Sequence, residues 1–151
     1  MARSIQAKEK LEDFINKLES MGCEVKPVSK KPQIYCINGE LVNIRSRGRS
    51  KMIAGGTGFW YNVSFSVLEE VNSVIYLMTD SDYFVKFPSS FLERLKDRMY
   101  PDSKNVGVGV FDIDWTEGYL VLEGGELEPI WDYLHGLSDP DIIQVFEIEA
   151  G

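Results

Sequence analysis

The order of segments along this chain predicts an α/β or α+β domain, a mixed β-sheet flanked by helices on one or both faces. Three observations carry that expectation. Apolar residues near the N-terminus recur at intervals of three and four, which is helical spacing. An Asn-Gly dipeptide then separates two short apolar runs, the strongest local hairpin signal. Beyond it, extended runs alternate with short segments opening in Ser-x-x-Glu, so strands and brief helices interleave. The 151 residues read as a single globular domain, 1–151, long enough to bury roughly 68–70% of the unfolded surface.

Taken in order, Ala7, Leu11, Phe14, Ile15, Leu18 and Met21 share one helical face; Ser4 is placed to cap its start and Gly22 to end it, giving a helix over 5–21. Cys23–Val28 is extended and stops at Pro27 and the Ser29-Lys30-Lys31-Pro32 loop. Ile34–Ile37 and Leu41–Ile44 flank Asn38-Gly39 as a hairpin. Phe59–Phe65 reads as a strand and Ser66–Glu69 as a capping box for a brief helix. Val74–Met78 and Tyr83–Phe87 are strands joined by the polar turn Asp80-Ser81-Asp82. Ser90 and Glu93 form a second capping box for a helix running to about Met99. Val106–Trp115 is extended and turns at Thr116-Glu117-Gly118 into Tyr119–Leu122. Glu128–Leu134 reads as helix, while Ile142–Ile148 fits strand and helix alike.

Charge is unevenly distributed. Residues 1–60 carry 11 Lys and Arg against 6 Asp and Glu, a net of +5, whereas residues 61–151 carry 5 against 18, a net of −13. Arg45, Arg47, Arg49 and Lys51 fall within seven residues; a glycine-rich turn (Gly55-Gly56-Thr57-Gly58) and three aromatics, Phe59-Trp60-Tyr61, follow. Alternating arginines on an extended backbone project to one side. Planar guanidinium forks match phosphate oxygens, and an exposed Trp60 or Tyr61 would stack on an unpaired base. The candidate nucleic-acid-binding residues are therefore Arg45, Arg47, Arg49, Lys51, Trp60 and Tyr61. The competing reading is a solvated basic loop with the aromatic strand burying one face in the core.

Other chemistry is sparse. Asp112-Ile113-Asp114 on a strand puts two carboxylates on one face, able to hold Mg²⁺ or simply to line the solvent side. The glycine cluster lacks the spacing and the Lys-Ser/Thr ending of a P-loop. Cys23 and Cys36 read as free thiols. With His135 the single histidine, a Cys/His zinc site is not expected, and no resident metal or other cofactor is indicated. No apolar run approaches the ~20 residues of a bilayer span, and no signal-peptide core precedes the first helix, so the expectation is a cytoplasmic protein without a membrane partner.

The stretch from about residue 33 to 93 resembles the core of restriction-endonuclease-like, PD-(D/E)xK-type domains: a hairpin whose second strand ends in a basic motif, a glycine-containing loop, an aromatic strand, then strand and helix. The matching pieces are Ile34–Ile37, Leu41–Arg45, Gly55–Gly58, Phe59–Val63, Val74–Met78 and Tyr83–Leu92. Where that family carries acid-x-Lys, this chain reads Asn43-Ile44-Arg45. Asparagine supplies no anionic metal ligand and arginine is a poor proton-transfer group. The resemblance thus implies a nuclease-like scaffold that binds nucleic acid without cutting it. Two alternatives stand beside it. One is a protein-interaction module, a homodimer or the partner of a basic protein, using the acidic, aromatic-rich C-terminal half. The other is a Mg²⁺-dependent nuclease drawing on Glu40, Asp112 and Asp114, with Glu9 or Glu12 contributed by the first helix.

Overall fold

An amphipathic helix opens the chain and lies across one face of a sheet. The computed structural model describes residues 2–47, 59–78 and 81–147, with side chains for all of these except 2–5, 47, 59 and 60. Helix α1 (Ala2–Ser20) buries Leu11, Phe14 and Leu18, the face its spacing predicts. It begins earlier than expected, so Ser4 lies inside it, and it ends where Gly22 takes a positive φ.

Strands β1 (Val25–Lys30), β2 (Gln33–Ile37) and β3 (Glu40–Arg47) form an antiparallel meander. Asn38 and Gly39 both take positive φ, the geometry of a two-residue primed turn, which Gly39 adopts without steric cost. Asn38 also fastens the turn to the chain entering β1, since its Oδ1 accepts the Glu24 N–H at 2.8 Å and its own N–H donates to the Glu24 carbonyl at 2.9 Å. The chain then forms β4 (Phe59–Ser64), a short α2 (Phe65–Leu68), β5 (Ser73–Met78) and β6 (Tyr83–Pro88). After α3 (Ser89–Leu95) come β7 (Tyr100–Pro101), β8 (Val108–Asp114), β9 (Tyr119–Val121), β10 (Leu127–Pro129), β11 (Leu134–Gly136) and α4 (Asp139–Val145).

The fold is α+β. A six-stranded mixed sheet runs β1-β2-β3-β5-β6-β11, with β3 and β5 parallel and every other neighbouring pair antiparallel. A second, antiparallel sheet runs β10-β9-β8-β4, with β7 beside β8. Helices α1 and α4 cover one face of the mixed sheet over Ile37, Val42, Ile44, Ile75, Leu77 and Phe84. The other face packs on the antiparallel sheet, with Val74, Tyr76, Val85 and Phe87 meeting Tyr61, Val63, Phe111 and Ile113. A face for which sequence offered helices is thus covered mainly by a second sheet, and α2 and α3 contribute Val67, Leu68, Phe91, Leu92 and Leu95 to the same core.

Three local expectations change. Strand β1 does not stop at Pro27 but runs on to Lys30, paired with β2 across a bulge between Pro27 and Ser29. The segment 128–134 is not helical: β10 and β11 flank a single 3-10 turn, Trp131–Tyr133. Pro129 has no N–H to donate within a helix, and pairing with β9 and β6 satisfies the backbone on either side. The two proposed capping boxes do not form, because the N-cap positions of α2 and α3 fall two residues earlier, at Ser64 and Pro88, with no side-chain cap bond. Gly118, at φ +74°, sits under the Trp131 ring, where an added Cβ would come within 2.3 Å of Cε2. Of the ambiguous segment 142–148, residues 142–145 are helical and belong to α4, which carries Asp139 and Asp141 in its first turn, favourable beside the helix N-terminus. Asp139 also pairs with Lys17 of α1 at 2.8 Å.

Phe84 is fully buried where α1, α4 and the sheet meet, its ring 5.3 Å from Phe14 and 6.2 Å from Phe146. Truncating Phe84→Ala is expected to lower the unfolding free energy by about 3–5 kcal/mol, read from urea denaturation.

Candidate nucleic-acid interface

Alternation along β3 sends Val42, Ile44 and Ser46 toward α1 and Leu41, Asn43 and Arg45 toward the antiparallel sheet. Ser46 Oγ donates to the Ala7 carbonyl at 2.9 Å, while Arg45 Nη2 donates to Asn62 Oδ1 on β4. Tyr76, which neighbours Arg45 in the parallel register, donates its hydroxyl to the Asn62 carbonyl at 3.3 Å. Burial holds the Tyr76 phenol protonated well above its ordinary range, against the opposing pull of the Arg45 guanidinium. The Arg45 fork is therefore held between the sheets rather than sweeping freely through solvent.

The β1–β2 turn brings two further cations to this end of β3. Ile34 pairs with Asn43, so Lys31 and Pro32, joined by a cis peptide, lie alongside Arg45. Buried Asn43 secures that register by donating from Nδ2 to the Gln33 carbonyl at 2.8 Å. A cleft of about 450 Å³ opens here, lined by Lys30, Lys31, Gln33, Arg45, Ser46 and Tyr61 among others. Every charged residue lining it is a cation, and none of the three makes an ion pair among the described residues. Lys30 and Lys31 are exposed and Arg45 half-buried. A cleft lined by one sign of charge focuses the field on its contents, whatever the net charge of the molecule.

The predicted residues divide accordingly. Arg45 lies in the cleft, and Arg47 ends the strand that leads from it. Arg49 and Lys51 fall outside the described residues, as do the side chains of Arg47 and Trp60. Tyr61 is a correction as a base-stacking residue. It is 1% exposed, its ring lies 4.7 Å from that of Tyr76, and its hydroxyl donates to the Leu77 carbonyl at 2.8 Å. The inward phase of β4 claims it for the core. Lys30 and Lys31 were missed because they read as a turn, although the Lys-Lys-Pro triplet was itself the available signal.

Of the carboxylate candidates, Glu40 and Asp114 are engaged away from Arg45. Asp112 does not line a solvent face: it is 0% exposed on β8, paired in register with Trp60 and Val121. Asp114 closes the β8–β9 turn, its Oδ1 accepting the N–H groups of Thr116 and Glu117 at 3.0 and 2.8 Å. Glu40 stands at the opposite end of β3 and on the other face from Arg45. Its Oε1 pairs with Lys86 Nζ at 2.9 Å and its Oε2 accepts the Ser73 hydroxyl at 2.9 Å. Among the described residues no three His, Cys, Asp or Glu side chains gather as a metal-binding group. Likewise, none of the described helices is long and apolar enough to cross a membrane.

His135 lies beside this Glu40–Lys86 network, its ring 5.4 Å from Phe84. Burial pulls its pKa below the ordinary 6.5; nearby Lys86 adds to the shift, and the Asp141 carboxylate opposes it.

No family model, curated protein or solved structure matches this chain. The restriction-endonuclease-like likeness thus rests on sequence pattern alone.

Two expected outcomes follow from the Glu40–Lys86–His135 geometry. Lys86→Met leaves a half-buried carboxylate without its cation and should cost about 1–2 kcal/mol, whereas Glu40→Gln combined with Lys86→Met should cost less than the single change. Urea denaturation of both variants decides the order. In the second case, a depressed histidine pKa means that the unfolded chain binds the proton more readily than the folded one. Stability should therefore fall as pH drops below the ordinary 6.5. Because His135 is the single histidine, His135→Gln should flatten that part of a thermal-midpoint profile, and an unchanged profile would refute the assignment.

Proposed function

We propose that the protein binds the phosphate backbone of nucleic acid through the cationic cleft at the end of β3, without cutting it. One observation carries this reading: the β1–β2 turn brings Lys30 and Lys31 to Arg45 in one cleft that no carboxylate lines among the described residues. Arg47, Arg49 and Lys51 extend the basic run along the chain. The guanidinium of Arg45, oriented by Asn62, offers a planar fork to a phosphate, and the flexible ammonium groups of Lys30 and Lys31 add point charge. Tyr61 is turned into the core, so recognition works through phosphates and is indifferent to base identity. The acidic remainder of the molecule repels a polyanion and favours one docking face.

A second reading, a protein-interaction module, has one observation in its favour. Leu127 and Trp131 are 53% and 58% exposed within the acid-rich C-terminal half. Exposed aromatic anchors are typical of interaction hot spots.

Fluorescence anisotropy of labelled single- and double-stranded DNA across a salt series tests the first reading. Six contacting cations would give log K against log salt a slope of about −5, at ~0.9 per phosphate on a duplex. Lys30→Ala with Lys31→Ala should make that slope shallower by about 2 while leaving the fold intact, since both side chains are exposed. Absence of binding at low salt would overturn the proposal, and concentration-dependent sedimentation would then favour the interaction module.

A further inference from the structure

The mixed sheet carries a second polar region, at the other end of β3 and on the opposite face. There the surface covered by α1 and α4 changes character on four neighbouring strands at once. In register, Ser73 neighbours Val42, Lys86 neighbours Ile75 and His135 neighbours Phe84, while Glu40 precedes Val42 by two residues. All four side chains therefore share the face that is apolar further along. Lys86 is only 16% exposed and Ser73 2%. Sinking an ammonium and a carboxylate to this depth adds little stability over an apolar pair of similar volume, so stability alone does not explain the network.

The network borders open space. A cavity of about 460 Å³ lies against Glu40, Ser73, Lys86, Tyr133, His135 and Val145, within the range of small-ligand sites. Its groups retain unused hydrogen-bonding capacity. An ammonium has three N–H groups, of which Glu40 takes one and another side of Lys86 faces the Phe146 ring at 5.0 Å. An ionised carboxylate has about four acceptor sites, and Lys86 and Ser73 occupy two on Glu40. Among the described residues, the His135 imidazole and the Tyr133 hydroxyl make no hydrogen bond, and both residues border the cavity.

The geometry points to a binding site for a zwitterion, an α-amino acid with an apolar side chain, held by the Lys86–Glu40 pair. A cation and an anion 2.9 Å apart are complementary to a ligand whose carboxylate and ammonium are themselves adjacent. The ligand carboxylate meets the free N–H groups of Lys86 and a His135 N–H, and its ammonium meets the remaining lone pairs of Glu40. Such a ligand adds no net charge to a half-buried site, where an unbalanced charge would carry a large desolvation penalty. Pro88, Tyr133 and Val145 supply walls for an apolar side chain. The site is independent of the cationic cleft, since Glu40 and Arg45 are separated by roughly 17 Å along the strand at ~3.3 Å per residue.

Isothermal titration calorimetry of the full chain with leucine tests this. Saturable binding of leucine is expected, weakened at least about tenfold for leucinamide, which lacks the carboxylate, and for N-acetylleucine, which lacks the ammonium. Glu40→Gln combined with Lys86→Met should abolish binding, with circular dichroism checking that the variant is folded. The ligand comparison on the unmodified protein decides the matter if it is not. No saturable heat at about 10 mM leucine, or binding of either blocked analogue within about twofold of leucine, would overturn the proposal. Undiminished binding by the folded double variant would overturn it as well.

Discussion

Strand β5 is the constraint on which the rest of this structure depends. It pairs with β3 in parallel and with β6 antiparallel, and five of its six residues are buried. A strand in that position has water on neither face, so its residues serve two cores at once: Val74 and Tyr76 face the antiparallel sheet, Ile75 and Leu77 face the helices. Both neighbours must then keep their registers. Losing the β3–β5 pairing would separate Arg45 from Tyr76 and Glu40 from Ser73 in one step, so the two polar regions share a single structural support.

The polar regions differ in how charge is managed. At the C-terminal end of β3, like charges gather in the open: exposed lysines and a half-buried arginine with no acid to offset them among the cleft-lining residues. Water pays most of the solvation there, and the unbalanced field is available to an incoming anion. At the N-terminal end, opposite charges meet inside a partly closed space and balance one another. The first arrangement suits a polyanion, the second a ligand that is itself neutral overall. Elsewhere the acidic half is partly balanced by its own arginines, as where Arg94 and Arg98 reach Glu126 and Glu128 across the surface.

Sequence legibility followed the range of the interactions involved. The first helix, the Asn-Gly hairpin, the strands β4 to β6 and the long β8 were legible because each is set by residues within a few positions of one another. The helix starts shifted by a residue or more because a cap is one competitor among several for the same backbone donors. The segment 128–134 misled because its local apolar spacing suits a helix, whereas its two ends are drawn into different sheets, β10 by the neighbouring β9 and β11 by the distant β6. The second sheet had no local signature, since an apolar strand face looks the same whether a helix or a sheet will cover it.

The same division holds for function. By itself the sequence determined the interleaving of strands and helices, the hairpin register and the presence of a basic run ending β3, because propensity, turn chemistry and charge are properties of neighbouring residues. Only the tertiary structure decided that Lys30 and Lys31 join Arg45, that Tyr61 is withdrawn into the core and that Asp112 is buried. It alone united Glu40, Ser73, Lys86 and His135 from four strands on one face. The physical reason is that strand pairing brings together residues tens of positions apart and assigns each side chain to a face, and neither the partner strand nor the layer that will cover it is written in the local sequence.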